Sequence, residues 1–170
     1  MRIVGKIVVF ITFVFLMSSC FKEPHFSLSP EISFDSISSN IRLDQFIGAT
    51  KDSVVVTIKF QDGDGDLGYN ETQKSIAQET DNFNYMVKSF RKKNGTFKLY
   101  EPLIPLSGYF PSLKADNKPG PIEGTLSYTI EFFHAFTPKK DTLRFEIQIK
   151  DAAGNISNMT TSEEIVLNQI

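Results

Sequence analysis

The chain reads as an all-β protein, a single antiparallel β-sandwich of about seven strands. Three observations predict it. Apolar residues recur at every second position in several segments, the period of a strand with one buried face. Asn94-Gly95, the pair that most readily adopts positive φ in a tight turn, sits between two such segments. No stretch repeats its apolar residues convincingly at helical spacing.

The elements follow in order. Glu31–Ser38 supplies a first strand. In Ser53–Phe60, Val54, Val56, Ile58 and Phe60 share one face, and Thr57 and Lys59 lie opposite. Tyr85–Arg91 and Thr96–Tyr100 are the two arms of the Asn94-Gly95 hairpin. In Gly124–Phe133, Leu126, Tyr128, Ile130 and Phe132 alternate with polar residues. Thr142–Lys150 is the clearest case, with Leu143, Phe145, Ile147 and Ile149 inward and Arg144, Glu146, Gln148 and Lys150 outward. Ile156–Leu167 closes the set. One buried and one wet face per strand means antiparallel sheets. Residues 71–80 read as one polar turn of helix or as a loop. Two loops exceed what a minimal sandwich needs, Asp62 to Asn82 and Pro102 to Glu123, and long loops on a rigid scaffold are where binding usually resides.

Residues 1–19 have the makings of a secretory signal. Arg2 and Lys6 flank the start of an apolar run, Ile7 to Met17, and Ser18, Ser19 and the only cysteine, Cys20, follow. The run is shorter than the roughly 20 residues a spanning helix needs. Met17-Ser18-Ser19-Cys20 resembles a bacterial lipobox. The resemblance implies cleavage before Cys20, acylation of its thiol and attachment to a membrane through lipid. Phe21, where an aspartate would signal retention, resembles the pattern of lipoproteins sent to the outer membrane, on its periplasmic or cell-surface side. Lys22-Glu23 resembles the charged export signals of Bacteroidota surface lipoproteins. The expected organisation is signal peptide over 1–19, lipidated Cys20 and a tether over 20–30, and the sandwich over 31–170. With Cys20 acylated, disulfides, thiolate catalysis and cysteine metal ligands drop out.

Two of the 18 basic residues and none of the 20 acidic ones fall in the signal, so the mature body is mildly acidic. That excludes nucleic acid as the expected partner and excludes a polybasic membrane patch. Sixteen phenylalanines without tryptophan suit an aromatic-rich β core.

Gln61-Asp62-Gly63-Asp64-Gly65-Asp66-Leu67-Gly68 carries the chemistry most worth weighing. Carboxylates at alternate positions repel unless a cation sits among them, and the glycines let the backbone curl so that all three converge. Calcium takes roughly six to eight oxygen ligands in flexible geometry, whereas magnesium keeps its waters. The segment is not an EF-hand: counted from Asp62, the sixth position is Leu67 and the twelfth is Gln73. Further ligands must come from elsewhere. In an immunoglobulin-like sandwich the second and sixth strands run the same way in opposing sheets, so the loops after them meet at one pole. That places Asp62, Asp64 and Asp66 opposite Asp151-Ala152-Ala153-Gly154-Asn155, with Asp151 and Asn155 as candidate ligands. The competing reading is that both segments are turns without a metal, since Asp, Asn and Gly are ordinary turn formers.

Other candidates are thinner. His25 and His134 are far apart in sequence and read as surface residues. No nucleophile elbow, zinc-protease helix or phosphate loop is present, so no enzymatic activity is expected. Tyr109 and Phe110, between Gly108 and Pro111, are either a contact patch for a glycan or protein or a cap on the core. Asp35-Ser36-Ile37, Asp52-Ser53-Val54 and Asp141-Thr142-Leu143 resemble the Asp-Ser/Thr-aliphatic sites that Bacteroidota O-glycosylate.

The lipobox, the Asp62–Asp66 cluster after a strand and Asp151–Ser157 near the end together resemble uncharacterised Bacteroidota lipoproteins with one immunoglobulin-like or fibronectin-III-like domain. The resemblance implies a fold and a place, not an activity. The expectation is a binding or scaffolding module on the outer membrane, calcium-stabilised at one pole, with an envelope protein or glycan as partner. The alternative is an accessory glycan-binding lipoprotein of a carbohydrate-uptake system.

Overall fold

The computed structural model describes residues 24–114, 116 and 118–170. The expected signal peptide, Cys20 and the start of the expected tether lie outside the described residues. Among the described residues, eight strands and one helix follow in order: β1 (Glu31–Leu43), β2 (Thr50–Asp62), α1 (Glu71–Gln78), β3 (Tyr85–Lys93), β4 (Thr96–Tyr100), β5 (Ile122–Phe133), β6 (Asp141–Ile149), β7 (Thr160–Thr161) and β8 (Ile165–Leu167). They form two antiparallel sheets, ordered β1-β2-β5 and β4-β3-β6-β7, with β8 also on β6. The expected sandwich is therefore present, with β2 and β6 central in opposing sheets.

The alternation that predicts the strands is what packs the sheets. Val54, Val56, Ile58 and Phe60 of β2 meet Leu143, Phe145, Ile147 and Ile149 of β6 in one core cluster. β6 alternates buried and half-buried along its whole length. Leu126, Ile130 and Phe132 of β5 join the same cluster. Tyr85 and Tyr128 stack between the sheets with centroids 4.1 Å apart. Asn94 (φ 51°) and Gly95 (φ 80°) both take positive φ between β3 and β4, the geometry of a two-residue hairpin turn.

The edges depart from simple alternation. β1 slips register between Phe34 and Ser36, a bulge that interrupts a straight edge and suits the need to blunt it. The last expected strand, Ile156–Leu167, is two short pieces. Between and beside them side chains replace ladder bonds: Ile149 N–H donates to Ser157 Oγ (2.9 Å) and Phe145 N–H to Ser162 Oγ (3.0 Å). Ile32 N–H donates to Asn158 Oδ1 (2.8 Å) and Phe34 N–H to Thr160 Oγ1 (3.0 Å), which ties β1 of one sheet to the final segment of the other. Period alone does not reveal this, because a serine that bonds a backbone amide reads like any exposed polar residue.

Both long loops are pinned. Residues 71–78 form a two-turn helix closed by a capping box between Asn70 and Gln73, more order than one polar turn. Gly108 exchanges backbone bonds with Tyr85 and so extends the β3 edge. Further on, Ser112 N–H donates to Tyr69 O and Leu113 N–H to Leu67 O, so the two loops zip together. Asn84 secures the seam. Its fully buried amide accepts from Phe110 N–H (2.9 Å) and donates to Phe110 O (3.0 Å).

Asn84→Ala leaves the buried Phe110 N–H without a partner, while Phe110 O keeps only the longer bond from Tyr69 N–H (3.2 Å). The expected loss is about 2 kcal/mol, read as a lower urea midpoint at unchanged slope. A change below about 0.5 kcal/mol contradicts the assigned clamp.

Candidate functional site: an acidic pole

β2 ends at Asp62 and β6 at Ile149, and the two ends share a pole. The loops after them touch directly: Leu67 and Asp151 form an isolated bridge, and Ala152 N–H donates to Asp66 O (3.2 Å). One carboxylate oxygen from each of Asp62, Asp66 and Asp151 falls within 4.8 Å of the others, a set able to hold a metal ion. Asp62 and Asp151 are fully buried.

Asp62 and Asp66 are each held by one oxygen and leave the other to the site. Asp62 Oδ2 accepts from the backbone amides of Gly65 (2.8 Å) and Asp66 (3.2 Å). Asp66 Oδ2 accepts from Ala153 N–H (2.9 Å), a bond across the two loops. The remaining oxygens, Oδ1 of Asp62, Asp64 and Asp66, are buried and have no hydrogen-bond donor. A buried carboxylate oxygen without a donor costs several kcal/mol unless it is protonated or meets a cation. Among the described residues no Lys, Arg or His nitrogen forms an ion pair with any of the four aspartates. The turn reading explains the Oδ2 bonds and leaves the Oδ1 atoms unexplained.

The expected ligands sort into two groups. Asp62, Asp66 and Asp151 converge. Asp64 stands beside them, close enough to raise the proton affinity of both Asp62 and Asp66, but outside the tight triad. Asn155 turns its amide nitrogen to Asp151 Oδ2 (2.8 Å), while its backbone N–H donates to Asp151 Oδ1 (2.7 Å). It therefore positions Asp151 through both of these nitrogens. A cleft of about 410 Å³ opens beside Asp64 and Asp66, with Lys114 and Lys118 on its lining.

The crowding shows in the proton affinities. Burial pushes the Asp62 carboxyl up to about 6; Asp64, Asp66 and Asp151 add to the rise, and Gly65 N–H opposes it. Burial likewise pushes Asp66 up to about 6, with Asp151 and Asp64 contributing.

Tyr109 and Phe110 do not form a contact patch. Phe110 is 3% exposed and packs edge-on to Tyr85, with centroids 6.5 Å apart. Tyr109 leans on Phe83, and its hydroxyl donates to Ala77 O at the end of α1 (3.1 Å). They cap the core because Asn84 draws Phe110 inward. His134 is not a surface residue: its Nε2 lies 2.9 Å from Oδ2 of buried Asp52, which also accepts from Asn168 N–H (2.7 Å). Ser39 Oγ bonds that aspartate and not the imidazole, so the order is not that of a nucleophilic triad. The group latches the C-terminal residues to β2.

In the metal-free protein, Asp62 and Asp66 hold protons in the folded state between about pH 4 and 6, where the unfolded chain has released them. Their contribution is therefore stabilising at low pH and is lost as pH rises through about 6. With EDTA present, the melting temperature of Asp62→Asn exceeds that of the wild type at pH 7.5, and the gap narrows toward pH 4.5. A gap that is constant with pH contradicts the assigned crowding.

Comparison with family models, with curated proteins and with solved structures finds no match, so the reading of this pole rests on its own geometry.

Proposed function

We propose that the protein is a non-enzymatic binding or scaffolding module of the bacterial outer membrane, anchored through acylated Cys20 and stabilised by calcium at its acidic pole. The observation that carries the reading is the contrast between the two ends of one rigid body. One end gathers buried carboxylates and adjoins the N-terminal segment. The other, where β2 begins and β5 ends, leaves large apolar side chains in water: Phe46 is 99% and Phe136 85% exposed, with Ile47, Leu103 and Ile104 also exposed. Apolar groups massed at one end of a soluble body mark contact surfaces.

Calcium is favoured over magnesium at the acidic pole because the oxygens come from two loops of irregular geometry, which tolerate a large ion better than a strict octahedron. The other end also holds a cleft of about 760 Å³, lined by Tyr100, Leu103, Ile104, Ile130, Phe132 and Phe136 among others. That size suits insertion of apolar side chains from an envelope protein. The glycan-binding alternative drew on Tyr109 and Phe110, and no observation now favours it.

Two measurements test the reading. Calcium at millimolar concentration raises the melting temperature of EDTA-stripped protein at pH 7.5 by 5 °C or more (about 2 kcal/mol), and magnesium at the same concentration raises it much less. An equal or absent response removes calcium. Cross-linking in solubilised envelope yields a partner with wild-type protein and loses it with Leu103→Ser/Phe136→Ser, a variant whose melting temperature is unchanged because both side chains are exposed. The same partner on both proteins removes the apolar end as the contact surface.

A further inference from the structure

We infer that the acidic loop is also the docking site for the segment that joins the body to the membrane, so that ion binding shortens the leash. The inference rests on the calcium reading above. The segment approaching β1 does not hang free. Ser27 O accepts from Gly63 N–H (2.8 Å), and Gly63 lies between Asp62 and Asp64. The approach is so close that a Cβ on Gly63 would lie 2.6 Å from Phe26 O and 2.7 Å from Ser27 O. Gly63 is not among the glycines at positive φ, so it is contact and not backbone conformation that demands a glycine there. A second, longer contact comes from the other arm of the site. Asn155 Nδ2, held against Asp151, reaches Leu28 O at 3.5 Å. Residues 26–28 thus touch both loops that supply the carboxylates.

The next residues are fixed by different means. Pro30 is buried, and Ile32 is bonded through both its N–H and its C=O to the Asn158 side chain. None of those groups belongs to the acidic loops. Pro30 is therefore where the chain becomes part of the body regardless of the ion, and residues 26–29 depend on the shape of the Asp62–Asp66 loop. Without a cation, ionised Asp62, Asp64, Asp66 and Asp151 repel and the loop relaxes outward, taking the Gly63 amide away from Ser27 O. With a cation the loop closes and the amide is presented. From Cys20 the chain then runs seven residues to its first hold, Ser27, instead of ten to Pro30. At full extension that is a leash of about 24 Å against about 34 Å. The acidic pole is in either case the end of the body to which the leash attaches.

Chymotrypsin reads the docking directly, because its cut after Phe26 needs residues around that bond to leave the surface. The full lipidated chain in detergent is digested with calcium or with EGTA, and the Phe26–Ser27 cut is followed by mass. In wild type, calcium slows that cut at least tenfold, while cuts at the exposed Phe46 and Phe136 change little. In Gly63→Ala the cut is fast under both conditions, although calcium still raises the melting temperature. Equal cutting with and without calcium in wild type, alongside a calcium-dependent rise in melting temperature, overturns the docking and leaves the ion site standing. Calcium protection that persists in Gly63→Ala overturns it as well. No rise in melting temperature removes the ion site itself. If Gly63→Ala does not fold, the wild-type pair of digests decides.

Discussion

Everything at the acidic pole depends on one constraint: β2 and β6 run in the same direction on opposite sides of a packed core. That core is rigid because Val54, Val56, Ile58 and Phe60 interlock with Leu143, Phe145, Ile147 and Ile149. The strand ends cannot separate to relieve the loops that follow them. Carboxylates from those loops are thereby held within 4.8 Å of one another. In water they would drift apart. Here the hydrophobic packing of the strands opposes their repulsion and keeps together a set able to hold a metal ion.

The surrounding bonds follow the same logic. Asp62 and Asp66 each spend one oxygen on backbone amides, which fixes the loops, and each leaves the other oxygen buried without a donor. A loop built only to turn has no reason to bury an unpartnered carboxylate oxygen. The two long loops are drawn into this pole and zipped together through Leu67, Tyr69, Ser112 and Leu113, with Asn84 fastening the seam. Loop length here reflects the construction of one end of the sandwich and not free binding surface. At the far end, by contrast, Phe46, Leu103 and Phe136 stand in water, and it is there that the proposed reading puts contact with a partner.

Much of this is legible in the sequence, and the rest is not for identifiable reasons. Strict alternation over Ser53–Phe60 and Thr142–Lys150 places both central strands, and topology then brings Asp151 to Asp62 without any local signal joining them. Asn94-Gly95 announces its hairpin because its backbone preference is local. The side-chain clamps are not legible. Asn84, Ser157 and Ser162 act through partners up to 26 residues away, and nothing in their neighbourhoods distinguishes them from surface polar residues. Asn155 is a similar case: its chemistry suits an oxygen ligand, and nothing local announces that its amide nitrogen holds Asp151. Tyr109 and Phe110 resemble a surface pair because their loop is long, yet the seam at Asn84 pulls Phe110 into the core.

Titration calorimetry of calcium into chelator-stripped protein at pH 7.5 tests the central claim most directly. The account predicts saturable heat at one ion per chain in the wild type and none in Asp62→Asn, whose circular dichroism is unchanged. Absence of heat in the wild type, or the same heat in the variant, contradicts it: the carboxylates would then share this pole without an ion to reconcile them.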